Sequence, residues 1–125
     1  NPDVIEGKFA ESGFIENIVV LGENQKHAGA IIVPDFAFLK TWCQKHEIKY
    51  TSPQEMINNS EVKKRYAEEV KKINQNFGDT EKIKCYELVA DEWSVANGIL
   101  TPTLKVKRSV VKEMYKDLIS KMYKD

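Results

Sequence analysis

In the run Leu100–Arg108, the hydroxyls of Thr101 and Thr103 precede the cations Lys105, Lys107 and Arg108. Alternate residues of an extended chain point to one face. Thr101, Thr103, Lys105 and Lys107 would therefore share a face, with Leu104 and Val106 interleaved. Just upstream, Asn97-Gly98 can adopt positive φ and turn the chain sharply. A turn followed by hydroxyls and cations on one side suits an anion such as a phosphate or a carboxylate. The same alternation also describes an edge strand kept soluble by its lysines. Spacing alone leaves both readings open.

Other chemistry is sparse. Cys43 and His46 stand three apart on a predicted helix, close enough for a thiol–imidazole pair. The plainer reading is a buried thiol beside a half-exposed ring at a helix end. His27 opens a predicted strand and reads as a surface residue. The chain has 2 His and 2 Cys without metal-ligand spacing, so no metal site is expected. Neither a G-x-x-x-x-G-K-[ST] loop nor a G-x-G-x-x-G motif is present. Glu61, Glu68 and Glu69 interleave with Lys63, Lys64, Arg65, Lys71 and Lys72, with pairs such as Glu61/Arg65 and Glu68/Lys72 at helical spacing. That reads as a solvated, self-paired face, whereas nucleic acid would want one-sided basic charge.

The bulk numbers agree. The 125 residues make one domain, with 42% hydrophobic and 30% charged residues, an ordinary globular balance. The 19 basic and 19 acidic residues cancel, which favours neither nucleic acid nor an acidic partner. No apolar run approaches the roughly 20 residues of a membrane-spanning helix, and no signal-peptide pattern opens the chain. Cys43 and Cys85 read as free thiols in a reducing cytosol. The chain opens on Asn1-Pro2-Asp3 without an initiator Met. Pro2 suits the first turn of a helix capped by Asn1, so this start reads as the interior of a longer protein, cut at a domain boundary.

The elements that must position the Leu100–Arg108 run follow from periodicity. A short helix is predicted from Pro2 to about Ser12, with Gly13 as its stop. Phe14–Leu21 is a β-branched strand, Gly22–Lys26 a polar turn, and His27–Val33 a second strand antiparallel to the first. The second strand's composition suggests burial on both faces. Asp35 can cap a helix from Phe36 to His46. Ser52-Pro53-Gln54-Glu55 is a helix start, running to about Asn58. Glu61–Phe77 carries an apolar stripe of Val62, Tyr66, Val70, Ile73 and Phe77. Ile83–Ala90 reads as a third strand and Asp91–Gly98 as a loop anchored by Trp93. Leu104–Val106 reads as a short strand and Ser109 to about Tyr123 as a last helix, with Met114 and Tyr115 facing inward. The class is α+β: helices packed on a small, mostly antiparallel sheet of about three strands.

The run Trp93–Arg108, with its core Asn97-Gly98-Ile99-Leu100-Thr101-Pro102-Thr103-Leu104-Lys105-Val106-Lys107-Arg108, resembles the closing motif of long-chain acyl-CoA synthetases, N-G-E-L-T-P-T-L-K-x-K-R. Val110–Ile119 is similar to that family's last helix. Pro2-Asp3-Val4-Ile5-Glu6 looks like its P-x-x-I-E helix. Phe14–Lys26 and Ala30–Pro34 are similar to its next two strands, and residues 61–77 to the extra helical segment of the long-chain branch. The resemblance covers essentially the whole chain in order. Its specific part is T-P-T-L-K-x-K-R.

The resemblance implies the small, mobile C-terminal subdomain of an AMP-forming fatty acid–CoA ligase. Such an enzyme uses Mg2+, ATP and CoA to convert a fatty acid to acyl-AMP and then to acyl-CoA. The partner implied is the large N-terminal adenylation domain of the same chain, which holds ATP and the acyl group. The hinge and the CoA loop would lie ahead of Asn1, so the domain rotation cannot be followed in this chain alone. Because the ATP and acyl pockets belong to the N-terminal domain, this domain alone is expected to be inactive and to bind none of these ligands by itself. The cytoplasm, with peripheral membrane contact, is the implied location. A lysine of the closing loop bridges carboxylate and nucleotide in this family, and Lys105 is the candidate. Asn97, Gly98, Thr101, Thr103, Lys107 and Arg108 complete the loop facing substrate or nucleotide. Across the wider superfamily that lysine follows T-G. Here Thr103 falls at that position and Lys105 comes two residues later, which keeps Lys107, or no lysine at all, open as the alternative. Ile99 stands where the family often has Glu. A ligase for another acid, or a standalone anion-binding module, remains the alternative function.

Overall fold

The computed structural model describes residues 2–22 and 27–123, so the predicted Asn1 cap and the turn residues 23–26 lie outside the described residues. Helix α1 (Pro2–Phe9) leads into strands β1 (Ile15–Leu21) and β2 (Ala28–Pro34). Three helices follow: α2 (Phe36–Lys45), α3 (Pro53–Asn58) and α4 (Ser60–Asn74). Strand β3 (Ile83–Leu88), a long irregular segment, and helices α5 (Arg108–Met114) and α6 (Lys116–Met122) complete the chain.

The helix starts are written locally. Asp35 accepts the Phe38 N–H at 3.1 Å, Ser52 the Glu55 N–H at 3.1 Å, and Asn59 the N–H groups of Glu61 and Val62 at 2.8 and 3.2 Å. Each satisfies donors that the first helical turn leaves without an internal partner.

The sheet has the order β1-β2-β3. β1 and β2 pair antiparallel, with Ile18 opposite Ile32 and Val20 opposite Ala30. β3 adds to β2 in parallel, with Ala30 opposite Tyr86 and Ile32 opposite Leu88. The sheet is therefore mixed. The cause is the connection: few residues separate the end of β1 at Leu21 from the start of β2 at Ala28, whereas α2, α3 and α4 carry the chain back before β3, and a parallel pair needs such a crossover.

Strand alternation sends side chains to two cores. Ile18, Val20, Ala30 and Ile32 face a cluster with Phe9, Phe14, Leu39, Met56, Val62 and Tyr66. Val19, Leu21, Ile31 and Val33 face a second cluster with Val89, Trp93, Ile99, Leu100, Val111 and Tyr115. Burying each large apolar side chain in such a cluster contributes roughly 1.5–3 kcal/mol. In the first cluster Phe14 sits edge-on to Phe38, Trp42 and Tyr66, with the Arg65 guanidinium 4.4 Å from its ring centroid. The Tyr66 hydroxyl donates to the Phe14 carbonyl at 2.7 Å.

Several predicted bounds move. α1 ends at Phe9, not Ser12, and residues after it form tight turns. α4 ends at Asn74, whose side chain pairs with both backbone groups of Ile83 at 2.9 and 3.0 Å and so starts β3. The predicted last helix is broken at Tyr115 (φ −110°, ψ 22°) into α5 and α6. The break leaves Met114 49% exposed, against the inward position expected for it, while Tyr115 stays buried. Arg65 pairs with Glu69 at 3.0 Å, and Glu69, expected on the solvated face, is buried and also accepts from Ser12 at 2.7 Å.

Candidate functional site: the closing loop

The segment between β3 and α5 lies over the second face of the sheet, anchored by Trp93. Its indole N–H donates to the Tyr115 hydroxyl at 3.1 Å, and that hydroxyl donates to Asp91 at 2.8 Å. Burial pushes the Tyr115 hydroxyl up to about 12, so it stays a neutral donor across the physiological range. The helix break at Tyr115 and the anchor at Trp93 are thus one feature: the ring that interrupts the last helix is the one that pins the segment.

Asn97 then organises the turn from within. Its side-chain oxygen accepts the N–H groups of Ser94 and Ile99 at 3.1 and 3.2 Å, and its amide donates to the Glu92 carbonyl at 2.7 Å. Gly98 takes φ +84°, the left-handed backbone anticipated for Asn97-Gly98. Ile99 and Leu100 drop into the second core. Asn97 and Gly98 shape the loop's entry through backbone contacts.

The run that follows is not an extended strand. Leu100 and Val106 form a single antiparallel bridge, and the chain between them folds back as a tight loop. Leu104 adopts φ +67°, which turns the chain between Thr103 and Lys105 and removes the common face expected of an uninterrupted strand. The Leu104 N–H donates to the Thr101 carbonyl at 2.7 Å, and the Thr101 N–H to the Lys105 carbonyl at 2.8 Å. The Thr101 hydroxyl accepts the Lys105 N–H at 3.1 Å and lies 3.0 Å from the Thr103 hydroxyl. The structure does bring Thr101, Thr103 and Lys105 together, by closing a loop. Lys105 and Lys107 are exposed, and Leu104, just before Lys105, is 68% exposed.

Arg108 leaves the loop for the body of the domain. Its guanidinium donates to Glu6 at 2.8 and 3.3 Å and to the Val20 carbonyl at 2.6 Å. Glu6 in turn accepts the Val20 N–H at 2.7 Å. The pair takes up both backbone groups of Val20 on the edge strand β1 and ties α1 and β1 to the start of α5. The guanidinium thus faces α1 and β1. Arg108 and Glu6 are 102 positions apart, and nothing in local spacing could have joined them.

The rival centres dissolve. Cys43 is buried, and burial raises its thiol, which disfavours the thiolate a nucleophile needs. His46 is exposed and stacks on Trp42 at 4.3 Å. Both cysteines are free, and burial raises Cys85 as well. Tyr123 holds the far end of the hairpin, its single hydroxyl proton shared between the carbonyls of Leu21 and His27, each 3.0 Å away. The close approach of α6 there requires Gly29, since a Cβ on it would stand 2.6 Å from the Tyr123 hydroxyl oxygen. Among the described residues no group of three His, Cys, Asp or Glu side chains could hold a metal, and no helix is long and apolar enough to cross a membrane.

Known proteins share both the sequence and the architecture. Human long-chain-fatty-acid–CoA ligase 6 is 33% identical over 98% of this chain, and a peroxisomal long chain acyl-CoA synthetase of Arabidopsis thaliana is 29% identical over 99%. This chain spans 18% of the length of each. In architecture it is similar to the A-PCP didomain of carboxylic acid reductase from Segniliparus rugosus, with a TM-score of 0.75 at 20% identity over 98% of this chain and 16% of that one. The adenylation domain of a carboxylate reductase from Mycobacterium chelonae superposes equally well, at 17% identity over 98% of this chain and 18% of the other. The family model for the C-terminal domain of AMP-binding enzymes matches residues 1–125, from the helix that supplies Glu6 through the loop of Lys105 to the end, and the chain belongs to that family.

Proposed function

We propose that this domain serves a long-chain fatty acid–CoA ligase, as the C-terminal part that works against a large N-terminal adenylation domain of the same protein. The intact enzyme would join a fatty acid to the α-phosphate of ATP, releasing pyrophosphate, and then exchange AMP for the CoA thiol. The observation that carries the reading is the 33% identity with human long-chain-fatty-acid–CoA ligase 6 across 98% of the chain.

Lys105 is the residue assigned to the first half-reaction. It is exposed on a loop whose backbone is closed by hydrogen bonds, so the backbone that carries it is held at a defined place on the surface. A fatty acid carboxylate approaching a triphosphate meets like charge. A positioned cation between them offsets that repulsion and stabilises charge that develops in transfer. Thr101 and Thr103 bond to each other, and their part is to shape the loop. Lys107 is the neighbouring alternative. Magnesium would arrive with the ATP phosphates; the described residues offer it no cluster of ligands, and no step assigned to this domain runs through it. The location proposed is the cytoplasm, where the enzyme would meet its fatty acids in solution or at a membrane surface; among the described residues no helix is long and apolar enough to cross a membrane.

The test uses the intact ligase. Lys105→Ala is expected to lower acyl-adenylate formation by about 10²–10³-fold, the loss typical of removing one positioned charge-stabilising donor. Thioester formation from preformed acyl-adenylate should be retained. Adenylation that survives Lys105→Ala but fails with Lys107→Ala would move the role to Lys107. A panel of long-chain, short-chain and aryl acids distinguishes this ligase from one acting on another acid.

A further inference from the structure

Thr101 carries a set of contacts that its place in a substrate-facing loop does not require. Its N–H, its carbonyl and its hydroxyl are all engaged inside the loop. The N–H donates to the Lys105 carbonyl at 2.8 Å, and the carbonyl accepts the Leu104 N–H at 2.7 Å. The hydroxyl accepts the Lys105 N–H at 3.1 Å and meets the Thr103 hydroxyl at 3.0 Å. Both backbone groups of Lys105 therefore terminate on one residue, four positions earlier.

That closure has a conformational consequence. Leu104 is held at φ +67°, where a side chain with a Cβ is disfavoured, by about 1–2 kcal/mol for a left-handed residue. Leu104 is also 68% exposed, so no packing of its own side chain within the domain holds it there. The Thr101 contacts are the interactions that oppose this preference. Without them Leu104 would relax toward an extended conformation, and Lys105 would swing with it. Backbone strain kept at an exposed loop by a local hydrogen-bond set is typical of a side chain that must be pre-positioned.

We propose that Thr101 is the positioning residue for Lys105: its hydroxyl and backbone clamp the loop in the left-handed turn at Leu104, and the adenylation lysine depends on that clamp. The proposal rests on the role assigned to Lys105 above. Thr101 acts through Lys105 and makes no contact with substrate. Its hydroxyl contributes the bond to the Lys105 N–H that the side chain alone can supply, so Thr101→Val, which keeps the β-branch, the shape and the two backbone bonds, removes the hydroxyl's part of the clamp. Thr101→Ser keeps the hydroxyl.

The experiment measures both half-reactions in the intact ligase for Thr101→Val, Thr101→Ser and Lys105→Ala, with thermal unfolding as a control on folding. Thr101→Val is expected to lower kcat for acyl-adenylate formation by about 10- to 100-fold, the scale of a misplacement near 1 Å. KM for ATP and for fatty acid should change by less than about twofold, because transition-state positioning is lost and ground-state binding is not. Thioester formation from preformed acyl-adenylate should be unchanged, and Thr101→Ser should recover most of the adenylation rate. A raised KM with unchanged kcat would overturn the clamp and make Thr101 a substrate contact. Full adenylation by Thr101→Val beside an inactive Lys105→Ala would overturn the clamp and leave Lys105 standing. Full adenylation by Lys105→Ala would overturn both.

Discussion

The two faces of the sheet are closed in different ways. Over Ile18, Val20, Ala30 and Ile32 lie regular helices, α1, α2 and α4, each with a periodic apolar stripe and, for α2 and α4, a side-chain cap. Over Val19, Leu21, Ile31 and Val33 lie an irregular segment and a helix broken at Tyr115. The first face is held by apolar packing, with Phe9, Leu39, Met56, Val62 and Tyr66 wholly buried. The second adds polar pins: Trp93 to Tyr115 to Asp91, Asn97 to three backbone groups, and Arg108 to Glu6 and Val20. The candidate site sits on the second face. Irregular backbone can present Lys105 at a loop tip, which a helix or strand could not do, but it must then satisfy its own polar groups one by one.

Truncation should expose this difference first. Phe9→Ala is expected to destabilise the domain by about 3–5 kcal/mol, since it empties a fully buried aromatic site on the regular face. Ile119→Ala, half-buried on the other face, should cost less than half as much. Urea unfolding of the two variants measures this, and equal losses would erase the distinction between the faces.

A smaller effect is expected at the tie between the faces. Arg108→Met should destabilise by about 2 kcal/mol, because it leaves the half-buried Glu6 carboxylate and the Val20 carbonyl without their donor. Amide exchange at Val20 should rise with it. A loss below about 0.5 kcal/mol, the range of an ordinary surface substitution, would mark Arg108 as one more surface cation and return it to the loop.

The smallest effect appears only in alkali. Burial raises Tyr115 to about 12 and raises Tyr66 further, against an ordinary value of 10.0 for both. A folded-state value above the unfolded one means the folded protein holds its proton longer. Stability is therefore level below about pH 10 and falls as pH rises from there through 12. Tyr123, raised by burial, also ionises near pH 12, so absorbance titration of the tyrosinates should find Tyr115→Phe with a transition near pH 12 one tyrosine smaller than in the unaltered chain, while Tyr66 ionises only as the chain unfolds. Ionisation of Tyr66 before Tyr115 would reverse the ranking of the two faces by burial.

Much of the first face was legible along the chain. Its helices repeat apolar residues at helical spacing, and Asp35, Ser52 and Pro53 mark their starts; such signals act within a turn or two of backbone. The second face was legible only in part. Trp93 was foreseen as an anchor and Asn97-Gly98 as a turn, but the Tyr115 break and the Leu104 turn were not. Neither Gly nor Pro marks Tyr115. Leu104, flanked by Thr103 and Lys105, reads as the middle of a strand.

The sequence by itself determined the α+β class, the hairpin, the strong helices, the family resemblance and the run in which the candidate lysine lies, because periodicity, caps and motif are properties of neighbouring residues. The tertiary structure alone decided that β3 runs parallel to β2, that Arg108 turns to Glu6 and β1, that Glu69 is buried, and that Thr101 closes the loop beneath Lys105. Those outcomes depend on which groups distant in the chain must share a buried space or satisfy one another's hydrogen bonds, and on a backbone turn that residue types alone disfavour.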